Sequence, residues 1–105
     1  MNCVHRVASL MRLKPGSEEE YELRHQAVWP ELLDLLTQTG IRNYSIYRNG
    51  LDLYSYLEID RPGDLDDLAQ NPVMRRWWQY MEPLMEYNPD STPQQTSIPE
   101  VFHLD

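Results

Sequence analysis

Residues 41–59 read IRNYSIYRNGLDLYSYLEI, two β-type runs, Ile41 to Tyr47 and Leu51 to Ile59, divided by Arg48-Asn49-Gly50. β-Branched and aromatic side chains suit a pleated, half-buried surface, and an Asn-Gly pair supplies the positive φ angles of a tight turn. The stretch therefore predicts a β-hairpin. Along the second run Leu51, Leu53, Leu57 and Ile59 share one face, while Asp52, Tyr54, Tyr56 and Glu58 share the other. One face is made to meet helices, and the other is aromatic and polar.

Upstream of the hairpin, Cys3 to Leu13 is rich in β-branched and apolar residues and predicts a strand ended by Lys14-Pro15-Gly16. Ser17 with Glu20 three residues on reads as a capping box, and the acidic residues that follow suit the positive end of a helix dipole. Leu32, Leu33, Leu35 and Leu36 continue the apolar face, and Gly40 marks the stop. Pro30 interrupts the run and predicts a kink near Trp29 within one helix. Downstream, Pro62-Gly63 ends the hairpin. Asp64 caps a short helix through Ala69, and Asn71-Pro72 caps a second that carries Trp77, Trp78 and Met81 before Pro83 weakens it. Asn88 to Pro99 has no periodicity and leads to a last short strand, Val101 to Leu104.

The order β-α-β-β-α-β predicts a ferredoxin-like α+β fold, a four-stranded antiparallel sheet with both helices on one face. That arrangement leaves the aromatic face of the sheet uncovered, and a patch of that kind calls for a partner. A second copy packed sheet to sheet makes a dimeric α+β barrel, so a homodimer is expected.

The 105 residues are enough for a single domain over 1–105 with one site. With 9 Lys+Arg against 17 Asp+Glu the net charge is −8, and no basic run exceeds Arg75-Arg76, which argues against nucleic acid and membrane surfaces as partners. No apolar stretch reaches the ~20 residues of a membrane span or resembles a leader peptide, so the cytoplasm is the expected location. Cys3 is the single cysteine, and His5, His25 and His103 are scattered, which predicts neither a disulfide nor a metal site.

Tyr21, His25 and Trp29 recur every four residues and so would line one stripe of the first helix. Such a stripe serves either as core packing around a satisfied histidine or as a site. Trp77 and Trp78 are open to the same two readings, because adjacent helical residues point about 100° apart and cannot both face one core.

The surrounding text favours a site: Arg24-His25-Gln26-Ala27-Val28-Trp29-Pro30-Glu31-Leu32, then Asn43-Tyr44-Ser45-Ile46-Tyr47, then Arg76-Trp77-Trp78-Gln79-Tyr80-Met81, closed by Asn88-Pro89-Asp90 and Glu100-Val101-Phe102. This ordered set resembles the L-rhamnose mutarotase family over essentially the whole chain. The resemblance implies a dimeric α+β barrel that interconverts the α and β anomers of a 6-deoxy sugar, L-rhamnose or a relative such as L-fucose. It places His25 on the family's proton donor, Tyr21 and Tyr44 on substrate-contacting tyrosines, and Trp77 and Trp78 on the tryptophan pair that lines the sugar site.

The chemistry agrees with those residue types. Anomerisation removes a proton from the anomeric hydroxyl, adds one to the ring oxygen, and reverses both steps after rotation of the aldehyde. It asks for an acid and a base, so no cofactor and no metal is expected. Imidazole titrates near neutrality and can do both. Aromatic rings stack on sugar C–H faces and offer an apolar wall to a 6-methyl group. Two other readings compete: a cofactor-independent monooxygenase or decyclase on the same scaffold, since fold does not set function, and a non-catalytic binding domain.

Overall fold

The computed structural model describes residues 4–105, in which β1 (His5–Arg12), β2 (Ile41–Asn49), β3 (Asp52–Ile59) and β4 (Thr96–Ile98) form one sheet. The order is β2-β3-β1-β4 and every pairing is antiparallel, the ferredoxin-like arrangement expected from the sequence. Helices α1 (Glu18–His25), α2 (Pro30–Gln38), α3 (Asp64–Gln70) and α4 (Pro72–Met81) join the strands, and a 3₁₀ turn, Glu82–Leu84, follows α4 at Pro83. The core holds Leu13, Leu53 and Ile59 from the sheet side and Leu32, Trp77 and Met81 from the helices. Burial of each such aliphatic side chain contributes about 1.5–3 kcal/mol. Among the described residues no helix is long and apolar enough to cross a membrane. Cys3, and with it the expected start of the first strand, lies outside the described residues.

The hairpin forms where expected, with a shorter turn. Asn49 pairs with Asp52, so the two loop residues are Gly50 and Leu51, and only Gly50 has positive φ, at 62°. Glycine at the first central position is the pattern of a II′ turn, whereas the reading of Asn-Gly as the central pair would have required Asn49 to turn left-handed as well.

The expected kinked helix is two helices. The residue before a proline is driven from helical to extended backbone, and Trp29, at φ −59° and ψ 132°, has made that change. α1 stops at His25, and α2 starts afresh with Pro30 in its first turn. Nor does Ser17 form a capping box: its side chain makes no cap bond, Glu18 accepts from the Gly16 N–H instead, and Glu20 is engaged by Arg24. Asp64 opens α3 as its first residue and binds Arg61 rather than capping. Asn71 does cap α4, accepting from the Val73 N–H at 2.9 Å.

The fourth strand is Thr96–Ile98, not Val101 to Leu104. Leu10, Ser9 and Ala8 pair with Thr96, Ser97 and Ile98, and Pro99, with no N–H to donate, ends the ladder. Beyond it Glu100 meets Arg6 at 2.7 Å, but Val101, Phe102 and Leu104 are 95%, 77% and 80% exposed. Their strand propensity finds no edge to pair with in this chain.

β2 carries a bulge. Arg42 pairs with Glu58 and Ser45 with Tyr56, so Asn43 and Tyr44 together face the space of one residue, Leu57. Asn43 takes φ 51°, which asparagine tolerates better than most residues, and its amide donates to Glu58 Oε1 at 2.8 Å. The extra residue changes the parity of the strand. Ile41 and Ile46, five apart, therefore point to the same, helix-facing side, and Tyr44 goes with them.

Candidate active site

Between the helices and the inner face of the sheet lies a cavity of about 870 Å³, within the range of small-molecule sites. Tyr21, His25, Tyr44, Trp77 and Trp78 all line it, from three different elements. α1 supplies Tyr21 and His25, one turn apart, with their rings stacked at 4.2 Å between centroids. α4 brings Trp77 edge-on to the His25 ring at 5.5 Å. Trp29 no longer continues the α1 stripe, since the helix has ended, but it reaches the cluster through Trp77 at 5.1 Å. Trp77 is buried and belongs to the core as well as the cavity wall, while Trp78 is half-buried, with its backbone carbonyl accepting from the Tyr87 hydroxyl at 2.7 Å. Neither reading of the Trp pair excludes the other.

The frame around the imidazole is pinned from two sides. Arg24 binds Glu20 within α1 and lies over the Tyr80 ring of α4 at 4.1 Å, tying the two helices together. Glu22 accepts from Arg48 at 2.9 Å, and Arg48 also donates to the Gly50 carbonyl, tying α1 to the hairpin turn. Among the described residues the one carboxylate on the cavity wall, Glu22, is thus occupied by an arginine.

His25 Nδ1 lies 3.0 Å from the Tyr21 carbonyl oxygen. A carbonyl can only accept, so Nδ1 carries the proton and Nε2 is left as the lone-pair nitrogen. Burial disfavours the imidazolium and pushes the pKa of His25 down, partly offset by that same bond. The imidazole is therefore neutral at pH 7. Burial also raises the phenols of Tyr21 and Tyr44, which stay protonated and are available as hydrogen-bond donors. Tyr44 is 42% exposed even so. The two facts fit its place on the wall of a concave cavity. The set consists of a neutral base and two neutral acids around an aromatic cavity, suited to moving a proton on an uncharged, hydroxylated molecule. Among the described residues no three His, Cys, Asp or Glu side chains gather into a metal-binding group.

The sequence profile of the L-rhamnose mutarotase family matches residues 6–104. The chain belongs to that family. It is 44% identical over 102 residues to an L-rhamnose mutarotase of Bacteroides thetaiotaomicron, covering 95% of this chain and 98% of that protein. Against an L-rhamnose mutarotase of Listeria monocytogenes serotype 4b it is 40% identical over 103 residues, with 96% and 99% covered. The crystal structure of an L-rhamnose mutarotase from Formosa agariphila superposes with a TM-score of 0.89 at 33% identity, covering 96% of this chain and 99% of that one.

In this mutarotase-family chain the cavity has further polar lining that motif reading passed over, including Ser9, Ser55 and Gln95. The signal was present in the hairpin itself. Ser55 interrupts the inward series Leu53, Leu57, Ile59, at a position where alternation asks for an apolar residue.

Proposed function

We propose that the chain, acting as one unit, interconverts the α and β anomers of L-rhamnose, with His25 as its proton-transfer group. The supporting observation is the imidazole itself, neutral, its Nδ1 held by the Tyr21 carbonyl and its Nε2 without a partner among the described residues, on the wall of a cavity where the one carboxylate they supply is already paired. In this reading Nε2 takes the proton of the anomeric hydroxyl. The C1–ring-oxygen bond opens and the ring oxygen gains a proton, from the imidazolium or from a phenol. Rotation about C1–C2 presents the other face of the aldehyde, and the same transfers in reverse close the ring, leaving His25 neutral. No group is lost and no electron is transferred. Tyr21 and Tyr44, both protonated, donate hydrogen bonds to sugar oxygens, and Trp77 and Trp78 give the C–H faces and the methyl group an apolar wall.

Exchange of magnetisation between the two anomeric protons of L-rhamnose, with and without protein, tests the reading. An exchange rate no higher than that of buffer, with the protein folded, rejects it. L-Fucose in the same experiment ranks the sugars.

The uncovered sheet face supports a homodimer. Tyr47 and Tyr54 sit opposite each other there, 65% and 39% exposed, and the chain leaves the sheet with Val101, Phe102 and Leu104 bare. Sedimentation at micromolar concentration should give about twice the 12.5 kDa of one chain. A fully active monomer removes the barrel from the proposal.

A further inference from the structure

The inner face of the sheet centre holds two hydroxyls where packing alone needs none. Ser9 on β1 and Ser55 on β3 are directly opposite in register, only 9% and 7% exposed, and flanked on their own strands by Val7, Met11, Leu53 and Leu57. An alanine or valine pair would fill this site without the desolvation that buried hydroxyls suffer. The two serines are instead joined, Oγ to Oγ, at 2.6 Å, and Ser9 Oγ lies 3.2 Å from Gln95 Oε1.

The direction of this chain of bonds follows from what each atom can do. Gln95 Oε1 can only accept, so Ser9 gives its one proton there. The Ser55 hydroxyl then donates to Ser9 Oγ, with the Ser9 carbonyl oxygen a longer second acceptor at 3.5 Å. Two groups are left over. Ser55 Oγ receives no hydrogen bond, and Gln95 Nε2, with two N–H donors, has no partner among the described residues. Ser9, Ser55 and Gln95 all line the cavity that holds His25.

We infer that Ser55 and Gln95, linked through Ser9, read sugar hydroxyls: Ser55 Oγ accepts from one and Gln95 Nε2 donates to the same or the neighbouring one. The inference rests on the sugar reading above and adds a specificity element to it. None of the three groups titrates near neutrality, so their part is in binding, separate from the proton transfer of His25. A hydroxyl that offers both a donor and an acceptor satisfies the chain, whereas a methylene in its place leaves the buried Ser55 hydroxyl without a donor and Gln95 without its sugar partner.

The test compares wild type with Ser55→Ala and Gln95→Leu, using L-rhamnose and its 2-, 3- and 4-deoxy analogues. Binding is read by tryptophan fluorescence and turnover by anomeric exchange. Both variants should bind L-rhamnose roughly three- to tenfold more weakly than wild type, the span of one neutral hydrogen bond. For one of the deoxy sugars that penalty should vanish, because the lost protein group and the lost hydroxyl are partners. The pH dependence of exchange should not move. A loss shared equally by all four sugars, or no loss, overturns the inference, and Gln95→Leu, at an exposed position, decides the matter even if Ser55→Ala folds poorly. If wild type binds L-rhamnose without exchanging it, the catalytic reading fails while the binding series still judges these residues. If it binds none of the sugars, both fail.

Discussion

Replacing His25 by asparagine should cost far more in catalysis than in folding. The substitution removes a ring stacked on Tyr21 at 4.2 Å and met edge-on by Trp77 at 5.5 Å. Aromatic pairs contribute about 0.5–1.5 kcal/mol each beyond their area, so the loss is about 1–3 kcal/mol. A domain of this size has a stability of about 5–15 kcal/mol, and the variant should fold with a Tm lowered by roughly 4–8 °C per kcal/mol. Catalysis should suffer far more: a positioned acid–base group is worth ~10²–10⁴-fold, or about 3–5 kcal/mol of barrier. Anomeric exchange measured on the folded variant should therefore approach the buffer rate. A second readout comes from pH. Burial holds the pKa of His25 below its ordinary 6.5, so the neutral base is the working form at pH 7, and wild-type exchange should fall only as pH drops through the lowered value. Stability carries the same sign, since a group whose pKa is depressed by folding contributes stability above its unfolded pKa and loses it as pH falls through the folded one. Both steps should be missing in His25→Asn. A folded variant that exchanges L-rhamnose at near wild-type rate, or that keeps the acid-side fall, refutes the reasoning; His5 on β1 and His103 near the C-terminus serve as controls.

Tyr21→Phe keeps the ring stacked on His25 but removes the phenol, and should slow exchange about tenfold with the melting temperature little changed, the size expected for one lost donor. Trp77→Ala empties a buried site and should destabilise by about 3–5 kcal/mol in chemical denaturation. Trp78→Ala, at a half-buried position, should instead show mainly as weaker L-rhamnose binding. Asn43→Val puts a β-branched residue at φ 51°, which should destabilise by about 1–2 kcal/mol and weaken sugar binding through Tyr44; unchanged stability would show that the bulge is easily relieved.

What could be read from the sequence was what short-range chemistry decides. The hairpin, the Asn71 cap and the stop at Gly40 each depend on a few adjacent residues, and each is present in the structure. The misplaced elements depend on partners far along the chain. Val101 to Leu104 has strand-forming residues, but a strand needs an edge, and Pro99 breaks the ladder that Thr96–Ile98 makes with β1. Strict alternation from Ile41 would send Tyr44 to the outer face, and only the pairing of β2 with β3 reveals the bulge. The five residues set on the cavity by resemblance do line it, yet Ser9 and Gln95 are 86 positions apart and come together only when β1 and the approach to β4 meet.

The break between α1 and α2 has a mechanical consequence. A continuous helix would act as a lever, transmitting any adjustment at its far end to the imidazole. With helical bonding interrupted ahead of Pro30, α1 is a short rigid block clamped by Arg24 to α4 and by Glu22 to the hairpin, and α2 is a separate block. His25 is then uncoupled from α2 along the helical backbone, and α2 reaches it only through side-chain packing on α4, by way of Trp29 on Trp77 and Glu31 with Arg76. On α2 the exposed Asp34 and Gln38, which do not border the cavity, can vary during evolution or be redesigned for solubility, whereas Leu32, Leu33, Leu36 and Thr37 form part of its wall.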